Sequence, residues 1–268
     1  MSVVKLGGSL ITNKERVASF CRLRTQRLAW EIASANRPVI VVHGTGSFGK
    51  PPAVQHGYDQ SGALSESRGE VVAEVAASLH ILRGHVLNCL VRAGMRPVGL
   101  GAVGLYRTGD GRIRHYAPEP VNALLERGMT PVISGDLVPE EGGGFAVCSS
   151  DLIAAHQAVY LSAQCLIFAT DSPVLLPSQG GKRRTMVGEL HPEHAAVGEI
   201  RPTVRDVSGG MFGKLNAGFD AARAGVETMI VDGRVPSRLR DAILGIPVRA
   251  TRLRAEVENG GGSRVPKR

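Results

Sequence analysis

The chain has 268 residues, 43% of them apolar and 21% charged, enough to bury the core of one large α/β domain or of two closely joined lobes. No apolar run approaches the roughly 18 residues that a membrane helix needs, and Met1-Ser2-Val3-Val4-Lys5-Leu6-Gly7-Gly8 lacks the order of a signal peptide. The formal charge of +8 is dispersed and aromatics are only 4%, which argues against a nucleic-acid partner; a solvated surface and a small anionic substrate account for it. Cys21, Cys89, Cys148 and Cys165 are scattered without paired spacing, which excludes a disulfide framework or a zinc site and points to a reducing, cytoplasmic setting.

In chain order, Val3–Leu6 reads as a strand that ends in Lys5-Leu6-Gly7-Gly8-Ser9, with Lys14 a few residues on. Leu23, Leu28 and Ile32 mark a helix. Val39–Val42 is an apolar, β-branched run that reads as a buried parallel strand, and it opens into His43-Gly44-Thr45-Gly46-Ser47-Phe48-Gly49-Lys50. Val72, Val75, Leu79, Leu82 and Val86 mark a long helix, with His80 and His85 expected to face solvent. Further strands are expected at Pro97–Leu100, Thr130–Ser134, Cys165–Ala169 and Glu227–Val231. Hairpins are expected at Arg107–His115 and Val138–Val147, around their glycines. Further helices run from Leu152 to Leu161 and from Met211 through Leu215 and Phe219 to Ala222. Gln179–Arg184 reads as a surface loop and 258–268 as a flexible tail. Strand alternating with helix predicts a mostly parallel sheet covered on both faces.

The strand ends carry the chemistry. The loop after Val39–Val42 holds three glycines and a lysine, which suits an anion. Similar groups follow other strands: Ser134-Gly135-Asp136, Ala169-Thr170-Asp171, and Ser208-Gly209-Gly210-Met211 with Lys214 one turn into a helix. Ser149-Ser150-Asp151 opens another helix, where it also serves as a cap. Phosphoryl transfer needs alignment and cations around the moving group rather than covalent help. Lys5, Lys14 and Lys214 can supply charge, Gly8, Gly44 and Gly46 backbone donors, and Asp151 can hold the lysines in place. No Walker-type run, protein-kinase motif set or Gly-x-Ser-x-Gly elbow is present.

Taken together and in this order, these motifs resemble the amino acid kinase superfamily and, within it, the isopentenyl phosphate kinases, over nearly all of residues 1 to about 250. The resemblance implies a three-layer α/β/α sandwich with a mostly parallel central sheet, a homodimer, and ATP with Mg²⁺. It divides the chain into an acceptor-binding half, 1–165, and a nucleotide-binding half, 166–257. It implies that Lys5 and Lys214 stabilise charge on the transferring phosphoryl group and that Asp151 organises them. It places Gly7, Gly8, Ser9, Lys14, Asp171, Gly209, Gly210 and Met211 on the nucleotide. Gly44, Thr45, Gly46, Gly49, Lys50, Gly135 and Asp136 fall on the acceptor, with the helix Val72–Leu90 lining the pocket for its organic tail. Isopentenyl phosphate is the acceptor so implied.

Two departures from the pattern matter. Lys50 stands where these kinases usually carry histidine, which keeps an anionic acceptor. Asp171-Ser172-Pro173-Val174 replaces the usual Asp-x-Asp-Gly, and proline restricts that turn. A kinase for a phosphonate or another anionic metabolite, and a non-catalytic nucleotide- or anion-binding module, are the alternatives.

Overall fold

The structure is a computed structural model, and it describes residues 1–49, 69–171, 174–177, 184–195 and 210–255. Lys50, Ser172 and Pro173, residues 179–183 of the loop expected at Gln179–Arg184, Ser208 and Gly209, and the tail expected at 258–268 lie outside the described residues, while Arg184 itself begins a strand rather than closing a loop.

The chain runs from β1 (Ser2–Leu6) through α1 (Gly8–Ile11) and α2 (Arg22–Ser34) to β2 (Val39–His43) and a helical turn, α3 (46–49). The long α4 (Gly69–Arg92) leads to β3 (Pro97–Leu100), α5 (Ala102–Leu105), β4 (Tyr106–Gly109), β5 (Arg112–Tyr116), α6 (Glu119–Glu126) and β6 (Thr130–Ser134). A hairpin of β7 (Asp136–Pro139) and β8 (Phe145–Cys148) precedes α7 (Ser150–Tyr160) and β9 (Cys165–Thr170). Beyond it lie β10 (Leu175–Pro177), β11 (Arg184–Met186), β12 (Glu189–Leu190), α8 (Pro192–Ala195), α9 (Gly210–Arg223), β13 (Glu227–Asp232), α10 (Arg238–Leu244) and β14 (Ala250–Leu253).

Period-two alternation along the strands sorts side chains into two cores. In β1, Val4 and Leu6 turn to one face and Val3 to the other; in β2, Val39 and Val41 oppose Ile40 and Val42. The first face packs on α2, α4 and α10 through Leu28, Ile32, Leu79, Leu82 and Leu239. The second packs on α7 and α9 through Ile153, Ala154, Leu215 and Phe219. The result is the three-layer α/β sandwich expected, around an eight-stranded sheet in the order β12-β14-β13-β9-β1-β2-β6-β3. Every neighbouring pair in it is parallel except β13 with β14. No described helix is long and apolar enough to cross a membrane.

Several expectations shift in detail. Leu23 is 88% exposed rather than part of the α2 core face. Five residues separate it from Leu28, which on a helix turns it about 140° away. The buried positions are instead Thr25, Leu28, Ala29, Glu31 and Ile32. Glu31 pairs with Arg27 and accepts a hydrogen bond from Leu239 N–H at 3.1 Å, tying α2 to α10. The short elements α6, α10 and β14 were not expected. In β14, Thr251 and Leu253 point inward beside the more exposed Arg252, an alternation too brief to stand out among basic residues. All four cysteines are free thiols, and only Cys21 is not buried.

The core accounting gives a matched pair of expectations. Leu79→Ala, at a fully buried site, should lower unfolding free energy by about 2–5 kcal/mol in denaturant titrations. Leu23→Ala should change it by less than about 0.5 kcal/mol.

Candidate active site

The carboxyl ends of the central strands finish level, because the register pairs Leu6 with Ala169 and His43, and His43 with Ser134. Each strand then turns into a loop bonded to its neighbour. Gly7 N–H donates to Ala169 O at 2.8 Å, Gly44 N–H to Leu6 O at 2.9 Å, and Gly135 N–H to His43 O at 3.2 Å. The β1 and β2 loops consequently touch backbone to backbone. A Cβ on Gly8 would lie 2.5 Å from Gly46 N, and one on Gly44 would lie 2.5 Å from Gly8 N, so no larger residue fits at either position. Thr12 locks the two loops together: its hydroxyl donates to Gly8 O at 2.8 Å and accepts from Ser47 N–H at 3.0 Å.

Alternation in β1 turns Lys5 toward the α7 and α9 layer, on the side of Val3. Asp151 waits there in the first turn of α7, where Ser149 caps the helix by accepting from Leu152 N–H at 3.2 Å. Lys214, one turn into α9, completes the group. Lys5 Nζ lies 2.8 Å and Lys214 Nζ 2.7 Å from the same oxygen, Asp151 Oδ1. All three side chains are buried, and the Lys214 ammonium also sits 5.1 Å from the centre of the Phe168 ring.

The electrostatics follow from two cations sharing one anion. Burial pushes Lys5 down to about 8; Asp151 opposes the shift, and the Lys214 ammonium adds to it. Burial alone would raise Asp151, but Lys214 and Lys5 outweigh it and hold the carboxyl down at about 2. Asp151 is therefore a fixed anion and no proton acceptor at neutral pH.

The other expected residues gather around this group to differing degrees. Gly7, Gly8 and Ser9 open the β1 loop, and Ser9 Oγ donates to Asp171 Oδ1 at 2.5 Å. Lys14 is solvent-exposed, with its ammonium 3.8 Å from Asp171 Oδ2. Gly44, Thr45, Gly46 and Gly49 form the turn after β2, and Gly46 adopts a left-handed φ of 49°. Gly210 and Met211 begin α9, one turn before Lys214. Asp136 lies on the α4 side of the sheet edge, where it faces Arg83 rather than the lysines, whereas Gly135 looks toward the start of α7, a Cβ there falling 2.9 Å from Ser150 N.

Two residues at this edge had been given no role. His43 is fully buried, and its Nδ1 lies 3.1 Å from Gly44 O. A carbonyl only accepts, so Nδ1 carries the proton; Nε2, which has no partner among the described residues, is left as a bare acceptor. Burial lowers His43 to about 4; Gly44 O opposes this, and Arg83 and Lys5 add to it. Arg83 is buried on the inner face of α4 and donates to Ser134 Oγ at 2.8 Å. Its signal was legible, since position 83 falls between Leu79, Leu82 and Val86 on the apolar stripe.

The sequence model of the Amino acid kinase family matches residues 1–232. The chain is 31% identical to an isopentenyl phosphate kinase of Methanothermobacter thermautotrophicus, covering 94% of this chain and 98% of that one. It is 28% identical to an acetylglutamate kinase of Dehalococcoides mccartyi, covering 88% of each. A solved isopentenyl phosphate kinase structure superposes with a TM-score of 0.80 at 29% identity, over 94% of this chain and 99% of that one.

Removing the shared anion tests the triad directly. Asp151→Asn leaves two buried ammonium groups uncompensated and should cost about 3–5 kcal/mol at neutral pH. The folded carboxyl sits at about 2, below its ordinary value near 3.8. Its stabilisation is thus complete above about pH 4 and is lost as pH falls toward 2. Denaturant titrations of both proteins should therefore converge on acidification; a gap that stays constant from pH 6 to pH 3 contradicts the arrangement.

Proposed function

Because the chain belongs to the amino acid kinase family and is thus an ATP-using phosphotransferase, we propose that it phosphorylates a small phosphomonoester, converting isopentenyl phosphate to isopentenyl diphosphate. The observation that carries this reading is the pair of buried lysines on one Asp151 oxygen, at the sheet edge beside the Gly44–Gly49 turn. The isopentenyl phosphate kinase relative, aligned over almost the whole chain, supports the acceptor.

Bound ATP supplies the γ-phosphoryl group. Lys5 and Lys214 would meet the oxygens on which charge is spread during transfer, and Asp151 fixes their separation beforehand. The three side chains together carry one net positive charge, which favours an anionic partner. The triad offers no general base, since Asp151 is held ionised. A phosphomonoester needs none: with a second pKa near 6, its oxygen is already anionic at neutral pH. The acceptor phosphate would lie against Gly44, Thr45, Gly46 and Gly49, on the side of residues 1–165. The nucleotide would lie against Gly7, Gly8, Ser9, Lys14, Asp171, Gly210 and Met211, toward residues 166–257. Among the described residues no group of three or more His, Cys, Asp or Glu side chains is placed to hold a metal. Any Mg²⁺ would arrive on the nucleotide phosphates and water, as is usual for that ion.

Purified protein supplied with ATP should turn over isopentenyl phosphate, and Lys214→Ala should lose on the order of 10²–10³ in kcat with the fold retained. Turnover of acetylglutamate but of no phosphomonoester would overturn the acceptor. Lys5 sheds its proton as pH rises through about 8, so kcat should fall on that alkaline limb. A flat profile from pH 7 to pH 10 would remove Lys5 from the chemistry.

A further inference from the structure

On the opposite face of the sheet from the lysines, α4 and the segments after β3 and β6 line a cavity of about 400 Å³ that opens to solvent on one side. That volume suits a short organic chain. Val72, Leu87 and Val103 give it apolar walls, as an alkyl or alkenyl tail requires. Arg83 and Asp136 also line it, and both are buried. An ion pair in such a place seldom stabilises a fold more than apolar side chains of the same volume would.

This pair has hydrogen-bonding capacity to spare. The Arg83 guanidinium donates to Ser134 Oγ at 2.8 Å and stands 3.7 Å from Asp136 Oδ2, beyond hydrogen-bond reach. Its Nε–H has no partner among the described residues. Asp136 Oδ1 accepts from Leu137 N–H at 2.8 Å. Burial raises its carboxyl pKa; Leu137 N–H, Arg83 and His80 oppose the shift without cancelling it. The backbone makes room for the arginine stem: a Cβ on Gly99 would lie 2.8 Å from Arg83 Cδ.

We propose that this cavity selects an acceptor carrying a hydroxyl at the end remote from the phosphorylated group, with Arg83 donating to its oxygen and Asp136 accepting its proton. A hydroxyl serves both groups at once. A methyl end serves neither, and a carboxylate end meets the Asp136 charge. The proposal rests on the phosphomonoester reading with the acceptor's tail extending toward α4, and it narrows that reading: isopentenyl phosphate, whose hydrocarbon end carries no hydroxyl, is expected to be a weaker acceptor than a hydroxyl-ended phosphomonoester of the same length.

The test separates head group from tail. Phosphate-headed and carboxylate-headed acceptors of equal chain length are prepared with methyl, hydroxyl or carboxylate ends. Each is assayed for turnover with ATP and for calorimetric binding, using wild type, Arg83→Met, and Arg83→Met combined with Asp136→Asn. The double variant removes both charges, so neither is left buried alone if the single variant fails to fold. The wild type is expected to favour the hydroxyl end at least tenfold, chiefly through KM or affinity, and the folded variants to lose that preference. Reaction of carboxylate heads alone would overturn the phosphomonoester reading yet leave the tail comparison decisive. Equal or weaker use of hydroxyl ends by the wild type, or an unchanged preference in the variants, overturns the proposal, as does the absence of hydroxyl-favouring binding when nothing turns over.

Discussion

One carboxylate oxygen shared by two buried ammonium groups is the constraint around which the rest of the molecule is arranged. Asp151 must reach Lys5 and Lys214 together, so β1, α7 and α9 must converge at one end of the sheet. Either lysine alone would be an ordinary buried ion pair. Two cations on one anion leave an excess positive charge in a place with little water, which is unfavourable until an anion arrives. The site is built as a deficit that a phosphoryl group can fill.

The sheet divides the labour between its faces. Alternation sends Lys5 toward α7 and α9, while His43 and Ser134 turn toward α4 with Val41 and Val132. The lysine triad and the α4 cavity therefore lie on opposite faces, and the glycine loops form the edge between them. His43 stands at that edge, neutral, with both Lys5 and Arg83 acting on its ring. The loops can lie so close only because Gly8 and Gly44 have no side chains. This explains why the glycines are needed on mechanical grounds, whatever hydrogen bonds their N–H groups make to a ligand.

Much of this was readable from one-dimensional pattern. The apolar runs of β1, β2, β6, β9 and β13 appear within about a residue of their bounds, because buried parallel strands are dense in β-branched residues. Lys5, Asp151 and Lys214 were legible since each adjoins a glycine- or serine-rich turn at an element boundary. Leu23 misled because apolar character does not reveal helical phase on its own. Arg83 shows the converse limit: a charged residue on an apolar stripe is visible in the sequence, but its meaning depends on Ser134, Asp136 and Gly99, which are far from it in the chain.

By itself, the sequence determined that this is an alternating α/β chain of the amino acid kinase family, with lysines, an aspartate and glycines at its strand ends. Those features are local, set by side-chain periodicity and by residue types that suit turns. The tertiary structure decided which of them meet. It placed Lys5 and Lys214 on a single oxygen of Asp151, set Asp136 apart beside Arg83, and gave the α4 cavity a polar pair among its apolar walls. Such pairings depend on register and layer packing between segments far apart in the chain, 53 residues for Arg83 and Asp136 and 146 for Lys5 and Asp151, which no local pattern encodes.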